Sequence, residues 1–272
     1  MKRIRRFGLQ LLILANCMFL LSSVTPIFGL QQVTIRNNFS DYKDSNGYLH
    51  IVGEVENLGS VDTKNVKIIA TCYDSNDTDF HTDSNYTSLS VVPANRRAPF
   101  HLLIKPAVAV KVSRFNLTVN FQNASESLPR TLLILSNSSN MYSGFLNILG
   151  EVQNNGTQTS HFTKVVVTCY DKNGTVVAVD NTYTEPRDLA VGAKAPFKAI
   201  TSAQQSPLVT RYEVQVQSDE AVLVPEFSSI ILVIISTCFL ALLLTMKRTT
   251  HRYCQRARSV ILVINQDLSG VR

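Results

Sequence analysis

The sequence predicts an all-β protein, two tandem β-sandwich domains set between an N-terminal signal segment and a C-terminal transmembrane helix. Three observations predict it. A stretch of 28 residues recurs without a gap 97 positions later. Within each copy apolar residues alternate with polar ones at a period of two, the signature of half-buried strands. Outside two apolar segments, one near each end, no apolar period of 3.6 residues is sustained.

The first apolar segment opens the chain. Lys2, Arg3, Arg5 and Arg6 precede an apolar run from Phe7 to Leu21, Pro26 breaks it, and small and polar residues follow. That order is the layout of a secretory signal peptide over residues 1–29, with cleavage near Gly29. An uncleaved anchor is the alternative, because Ile27 is not the small residue favoured three positions before a cleavage site.

The charge distribution agrees. The 272 residues carry a formal charge of +6, 45% apolar and 17% charged side chains, 11 Gly and no Trp. Residues 1–29 hold four basic groups and no acid; 247–272 hold six against Asp267; the middle, 30–224, is close to neutral with 16 basic and 18 acidic residues. Basic flanks around a neutral body do not make the electrostatic footprint of a nucleic-acid binder.

Domain 1 is expected over 30–121, domain 2 over 131–224, and a short linker with Pro129 over 122–130. Gly47–Asp74 aligns with Gly144–Asp171 at 13 of 28 identical positions. The same offset carries Ala98-Pro99-Phe100 onto Ala195-Pro196-Phe197, and Arg114 onto Arg211. Leu49, Ile51 and Val55 alternate with Tyr48, His50 and Glu54; Val66, Ile68, Ala70 and Cys72 alternate with Lys67, Thr71 and Tyr73. Asn173-Gly174 between two apolar runs predicts a hairpin with a type I′ turn, both central residues at positive φ. Gly53 and Gly150 fall inside strand patterns, which points to a bulge or a close backbone approach. Strands with turn signals every 8–12 residues point to sandwiches.

Each unit resembles the FxLyD domain, an immunoglobulin-like β-sandwich of bacterial and archaeal surface proteins. The resemblance rests on Gly53-x-Val55-x-Asn57-x-Gly59 and Gly150-x-Val152-x-Asn154-x-Gly156, with Tyr73-Asp74 and Tyr170-Asp171. It covers about 90 residues of each copy, the size of one sandwich domain. Ala70 and Val167 stand where the family has Phe, and Cys72 and Cys169 where it has Leu. The resemblance implies a binding or spacer role and brings no catalytic residue.

The second apolar segment, Ser228–Met246, is uncharged and long enough to span a bilayer core as a helix. Lys247 and Arg248 follow at once, which puts the C-terminal side in the cytoplasm and residues 30–224 outside. Pro225-Glu226-Phe227 stands immediately before the span. Residues 225–248 thus resemble the PEF-type C-terminal sorting signal read by archaeosortases, membrane proteases of archaea. The resemblance implies cutting near the triad, transfer to a membrane lipid, and an archaeosortase-type protease as a partner. The chain departs from that pattern by continuing over 249–272. A permanent anchor with a cytoplasmic tail, as in a single-span receptor or sensor subunit, is the alternative.

Asn-x-Ser/Thr acceptors for N-glycosylation occur at Asn38, Asn76, Asn85, Asn116, Asn123, Asn137, Asn155 and Asn173, all between the apolar segments. Chance at this composition gives about three, so the excess fits a glycosylated outer region. Cys72 and Cys169 are the outer cysteines, one per domain. No disulfide can form within a domain, so each must rest on its own core, with the thiol acting as a small buried hydrophobe. The segment Asp74–Asp83 gathers Asp77, Asp79 and Asp83 beside His81. Calcium is a chemical option there, but the EF-hand Gly and terminal Glu are missing, so the segment reads as a solvated hairpin tip. No nucleophile elbow, HExxH helix or phosphate loop is present. The expectation is a non-catalytic, cofactor-free cell-surface protein whose partners are the membrane and other envelope or extracellular proteins or glycans.

Overall fold

The computed structural model describes residues 32–223. The signal segment, the Pro225-Glu226-Phe227 triad, the second apolar segment and the tail lie outside the described residues. Among the described residues no helix is long and apolar enough to cross a membrane. Among these residues almost all regular structure is strand, in a sandwich-like arrangement, with one four-residue helix, α1 (Pro106–Ala109), and one 3-10 turn (Ser206–Leu208).

The first repeat contains two sheets. In one, β3 (Leu49–Asn57) is central; β1 (Val33–Ile35) and β2 (Ser40–Lys43) follow one another along one side of it, and β7 (Arg97–Ile104) pairs on the other. In the facing sheet, β4 (Thr63–Tyr73) is central, with β5 (Asp79–Tyr86) and β6 (Val91–Val92) on one side and β8 (Arg114–Asn123) on the other. Ile51, Val55, Ile68, Ala70, Cys72, Phe100, Leu102 and Ile104 meet between them with almost no exposure. The two-residue period explains which side chains these are, since i and i+2 share a face.

The second repeat follows the same registers. Leu49 pairs with Ile104 as Leu146 pairs with Thr201, and Ile68 with Val119 as Val165 with Val216. Its strands are β9 (Arg130–Tyr142), β10 (Phe145–Asn154), β11 (Lys164–Tyr170), β12 (Val176–Tyr183), β13 (Lys194–Thr201), β14 (Arg211–Gln217) and β15 (Val222–Leu223). Here β15 pairs antiparallel with β14 and parallel with β9, joining the two halves into one seven-stranded sheet around a second core of Leu132, Ile148, Val152, Val165, Val167 and Phe197.

Three local expectations can be compared with the structure. Gly53 and Gly150 mark close approaches: a Cβ on Gly53 would stand 2.6 Å from Phe39 Cβ and 2.7 Å from the Phe100 ring, and one on Gly150 2.3 Å from the Ser136 carbonyl. The Asn173-Gly174 hairpin forms, but not as a type I′ turn. Only Gly174 takes positive φ; the Gly174 N–H donates to the Asp171 carbonyl and the Asp171 N–H to that of Thr175. This is a tight turn closed by a left-handed residue and a bulge, and the Asp171 carboxylate selects it by accepting the Asn173 and Thr175 N–H groups. Cys72 and Cys169 are free, buried thiols. Burial pushes both thiols up, that of Cys169 to about 11.

The Asn of each Gly-x-Val-x-Asn-x-Gly pattern is a buried clamp. Asn57 donates to the Val61 and Val92 carbonyls at 2.8 and 3.0 Å and accepts the Gly59 N–H. Asn154 repeats this with Gln158, Leu189 and Gly156. Replacing either by Ala strands one buried carbonyl, that of Val92 or Leu189, and frees a half-buried carbonyl and N–H from their side-chain partner. Asn57→Ala and Asn154→Ala are each expected to lower unfolding free energy by about 2–4 kcal/mol, read by urea denaturation.

Candidate functional site

Each repeat has its own core, and the two cores are not independent. Val166, Tyr170, Val176 and Val179 of the second repeat join the buried cluster of the first, so the first core continues across the contact between repeats. The cause is strand geometry: β11 carries Val165, Val167 and Cys169 on one face and Val166, Thr168 and Tyr170 on the other, and both are buried. β3 does the same, with Val52 and Glu54 directed away from its own core and 0% and 2% exposed.

A buried carboxylate lies at the middle of this contact. Glu54 Oε1 accepts from Tyr170 Oη at 2.7 Å and its Oε2 from Asn38 Nδ2 at 2.9 Å. Tyr170 Oη also reaches Glu213 Oε2 at 3.3 Å, and the Arg211 guanidinium stacks 3.9 Å from the phenol ring centroid. Burial first, then the Glu54 carboxylate, hold the Tyr170 hydroxyl well above the usual phenol range, so it stays a donor. At one margin Gln217 is a complete clamp. Its Oε1 accepts the Ser90 N–H and Oγ at 2.7 Å and the Val91 N–H at 3.1 Å, while its Nε2 donates to the Val91 carbonyl at 2.9 Å. Lys164 Nζ donates to the Ser88 carbonyl at 2.8 Å and Gln215 Nε2 to that of Arg97 at 3.0 Å. At the other margin the Val176 N–H donates to the Asn38 carbonyl at 2.7 Å, and Gln204 Nε2 to that of Lys43 at 2.9 Å. Glu54 and Glu213 share one phenol, and beside Glu213 a small cleft opens between Arg97, Arg130 and Gln215. Chemically this is a lock between repeats.

A row of aromatic rings continues across the same face of β3. Tyr42 stacks on His50 at 4.5 Å and His50 on His101 at 5.0 Å; His50 Nδ1 and His101 Nε2 are 2.8 Å apart, and Asp44 stands 3.4 Å from His50 Nε2. Burial, then the neighbouring His50, push His101 down to about 4. Burial raises the Tyr42 phenol to about 12, with Asp180 and Asp44 adding to it.

The acidic segment does not assemble a cation site. Asp74 accepts the Asn76 and Thr78 N–H groups and closes the β4–β5 turn; Asp77, at φ 63°, takes the place Gly174 holds in the second repeat and pairs with Arg114. Asp79 pairs across from Tyr73 and Asp83 from Ala70, on opposite faces of β5. No group of three metal-ligating side chains gathers among the described residues.

The eight sequons separate into two kinds. Asn76, Asn85, Asn116, Asn123, Asn137, Asn155 and Asn173 are exposed. Asn38 is half-buried at the contact between repeats, its amide engaged by Glu54. Sequence reasoning missed the interface residues Glu54, Tyr170 and Gln217. The available signal was continuous rather than alternating apolar character in Val165–Val167 and Val176–Val179.

No family model matches the chain, and no curated protein does. Solved structures similar to it include red sea bream transglutaminase, 12% identical with a TM-score of 0.24 over 73% of this chain and 32% of that one. Others are an exo-chitosanase of Amycolatopsis orientalis (11%, TM-score 0.26, 68% and 26%) and a β-glucuronidase of glycoside hydrolase family 2 (15%, 0.27, 67% and 24%). The chain spans about a quarter to a third of these proteins, and at such scores the likeness carries no argument.

His101 makes the stability of the protein pH-dependent. Its folded pKa lies below the ordinary 6.5, so between pH 6.5 and 4 the unfolded chain takes up the proton first. Stability from this group is complete above pH 6.5 and is lost as pH falls towards 4. Urea denaturation of wild type and His101→Gln across that window should differ in slope, with about 2–3 kcal/mol more lost by wild type.

Proposed function

We propose that this chain is a secreted cell-surface protein, held by a C-terminal membrane or lipid anchor, that displays its two repeats as one rigid, non-catalytic interaction body. The lock around Glu54 and Tyr170 carries the reading. A flexible pair of modules needs no buried carboxylate at their junction, whereas a spacer that holds a surface away from a membrane gains from a fixed angle. The immunoglobulin-like, FxLyD-type assignment rests on the Asn57 and Asn154 patterns and agrees with the observed sandwich-like, all-β architecture. The signal segment and the charge-flanked apolar span support export and anchoring. The exposed sequons support N-glycosylation at several of Asn76, Asn85, Asn116, Asn123, Asn137, Asn155 and Asn173. In this reading Pro225-Glu226-Phe227 is the recognition site of an archaeosortase-type protease. Partners of the displayed surface are other envelope or extracellular proteins or glycans. The residues after Lys247 favour a second reading, a single-span receptor or sensor subunit with a cytoplasmic tail.

Peptide mass spectrometry of native protein from a membrane fraction separates the two. Sorting gives a C-terminus near Pro225–Phe227 and no peptide from 249–272; peptides reaching Arg272 would establish the retained anchor instead. The same spectra report the glycans: several of the seven exposed sequons are expected to be modified and Asn38 to be bare. An unmodified set throughout would remove the glycoprotein assignment.

A further inference from the structure

Because the repeats are copies, the central residues of each face used in the lock recur, although Leu135 stands where Asn38 does and Asn120 where Gln217 does. The second repeat docks through Lys164, Val166, Thr168 and Tyr170 on β11, with Arg211 of β14 stacked on the tyrosine. The first repeat carries Lys67, Ile69, Thr71 and Tyr73 at the matching positions of β4, with Arg114 of β8 stacked 3.6 Å from the Tyr73 centroid. These four β4 residues are only half-buried within their own chain. On the receiving side, β3 and β7 present Val52, Glu54, Arg97 and Pro99. Their counterparts on β10 and β13 are Leu149, Glu151, Lys194 and Pro196, paired in the same register; Lys194 and Pro196 are exposed, Leu149 and Glu151 half-buried.

We propose that these two unused faces pair between molecules: the Lys67–Tyr73 face of one chain docks on the Glu151 face of a second copy, reproducing the internal lock and stacking chains head to tail. The occupant follows from the internal interface, which shows what such a donor face sits on and which residues anchor it. The contact joins two different faces, so a pair of chains leaves one free face at each end and addition continues unless a ring closes. It is weaker than the internal version. Asp79 and Thr82 stand where Val176 and Val179 are buried, and no linker supplies the effective concentration that holds the two repeats together. Assembly therefore depends on concentration, which anchoring in one membrane plane would raise. Asn116 lies on the same face, across from Thr71, so a glycan there covers it.

The test uses full-length chain in detergent, made in a host without N-glycosylation, and sedimentation velocity. Wild type should gain weight-average mass between about 1 and about 200 μM, the range of transient interfaces. Thr71→Arg, on the donor face, and Glu151→Arg, on the receiving face, should each be monomeric, with circular dichroism and melting temperature unchanged. An equimolar mixture of the two should form dimers and nothing larger, because each variant keeps the face the other lacks. That complementation excludes association through detergent, through the apolar span, or through a symmetric contact. A wild type that stays monomeric, variants that associate like wild type, or a mixture that stays monomeric would each overturn the proposal. C-terminal mapping tests the display reading independently, so a monomeric chain leaves it standing.

Discussion

The fold depends on one constraint, that the Glu54 carboxylate is buried on the central strand of the first repeat. A carboxylate withdrawn from water is tolerated only when its oxygens are hydrogen-bonded, and removing one partner leaves a buried charge uncompensated. Its partners come from two places, Asn38 in the same repeat and Tyr170 in the other. The first repeat therefore cannot satisfy its own central strand, and separating the repeats would expose a pocket built around an acid. Gln217, Lys164 and Gln215 then spend their polar groups on backbone of the partner repeat, which fixes the angle at the margin. Valines fill what remains between, so the contact has an apolar floor with directional bonds set into it.

This arrangement explains why the duplication is uneven. β12 of the second repeat reads Val176-Val177-Ala178-Val179, because one face lines its own core and the other packs on the first repeat. The matching part of β5 reads Asp79-Phe80-His81-Thr82, half-exposed or exposed. The strands share pairing partners and register, so backbone geometry is not what differs. What differs is whether a second layer lies on top. The acidic character of Asp74–Asp83 follows from the same cause: it is the solvated version of a hairpin that the other copy buries, and its aspartates close a turn and meet Arg114 without converging on an ion.

Much of the architecture was legible because its signals are local. The offset of 97 reports the duplication, the alternation in Leu49–Val55 and the inward Cys72 and Cys169 report a period of two, and the structure follows both. The two glycines within strands could be assigned to close approach because no other residue type fits against Phe100 or the Ser136 carbonyl. Turn type was not legible from Asn173-Gly174 alone. The choice was made by Asp171, whose carboxylate takes two N–H groups and leaves only the glycine left-handed. The lock was illegible for a different reason. A Tyr-Asp pair and an alternating Glu read as the ordinary surface of a strand until a second repeat is placed over them, and that placement is set by contacts 116 residues apart in sequence.

Asn38 brings folding and surface chemistry into conflict. It is an acceptor by sequence, yet its amide nitrogen, the atom a glycan would occupy, is one of the two donors that make Glu54 burial tolerable. An amide nitrogen bonded to sugar has one hydrogen left and a bulky substituent where Gly174 and Val176 approach. A chain modified at Asn38 before the repeats dock would hold Glu54 without Asn38 and without close contact to β12, and the lock would not close. A chain that docks first hides the site. A glycan at Asn38 and the closed lock would thus compete for the same nitrogen. The seven exposed sequons are under no such restriction, since none of them donates to a buried charge. Of the eight sequons, then, only Asn38 lies within the interaction that holds the two repeats together.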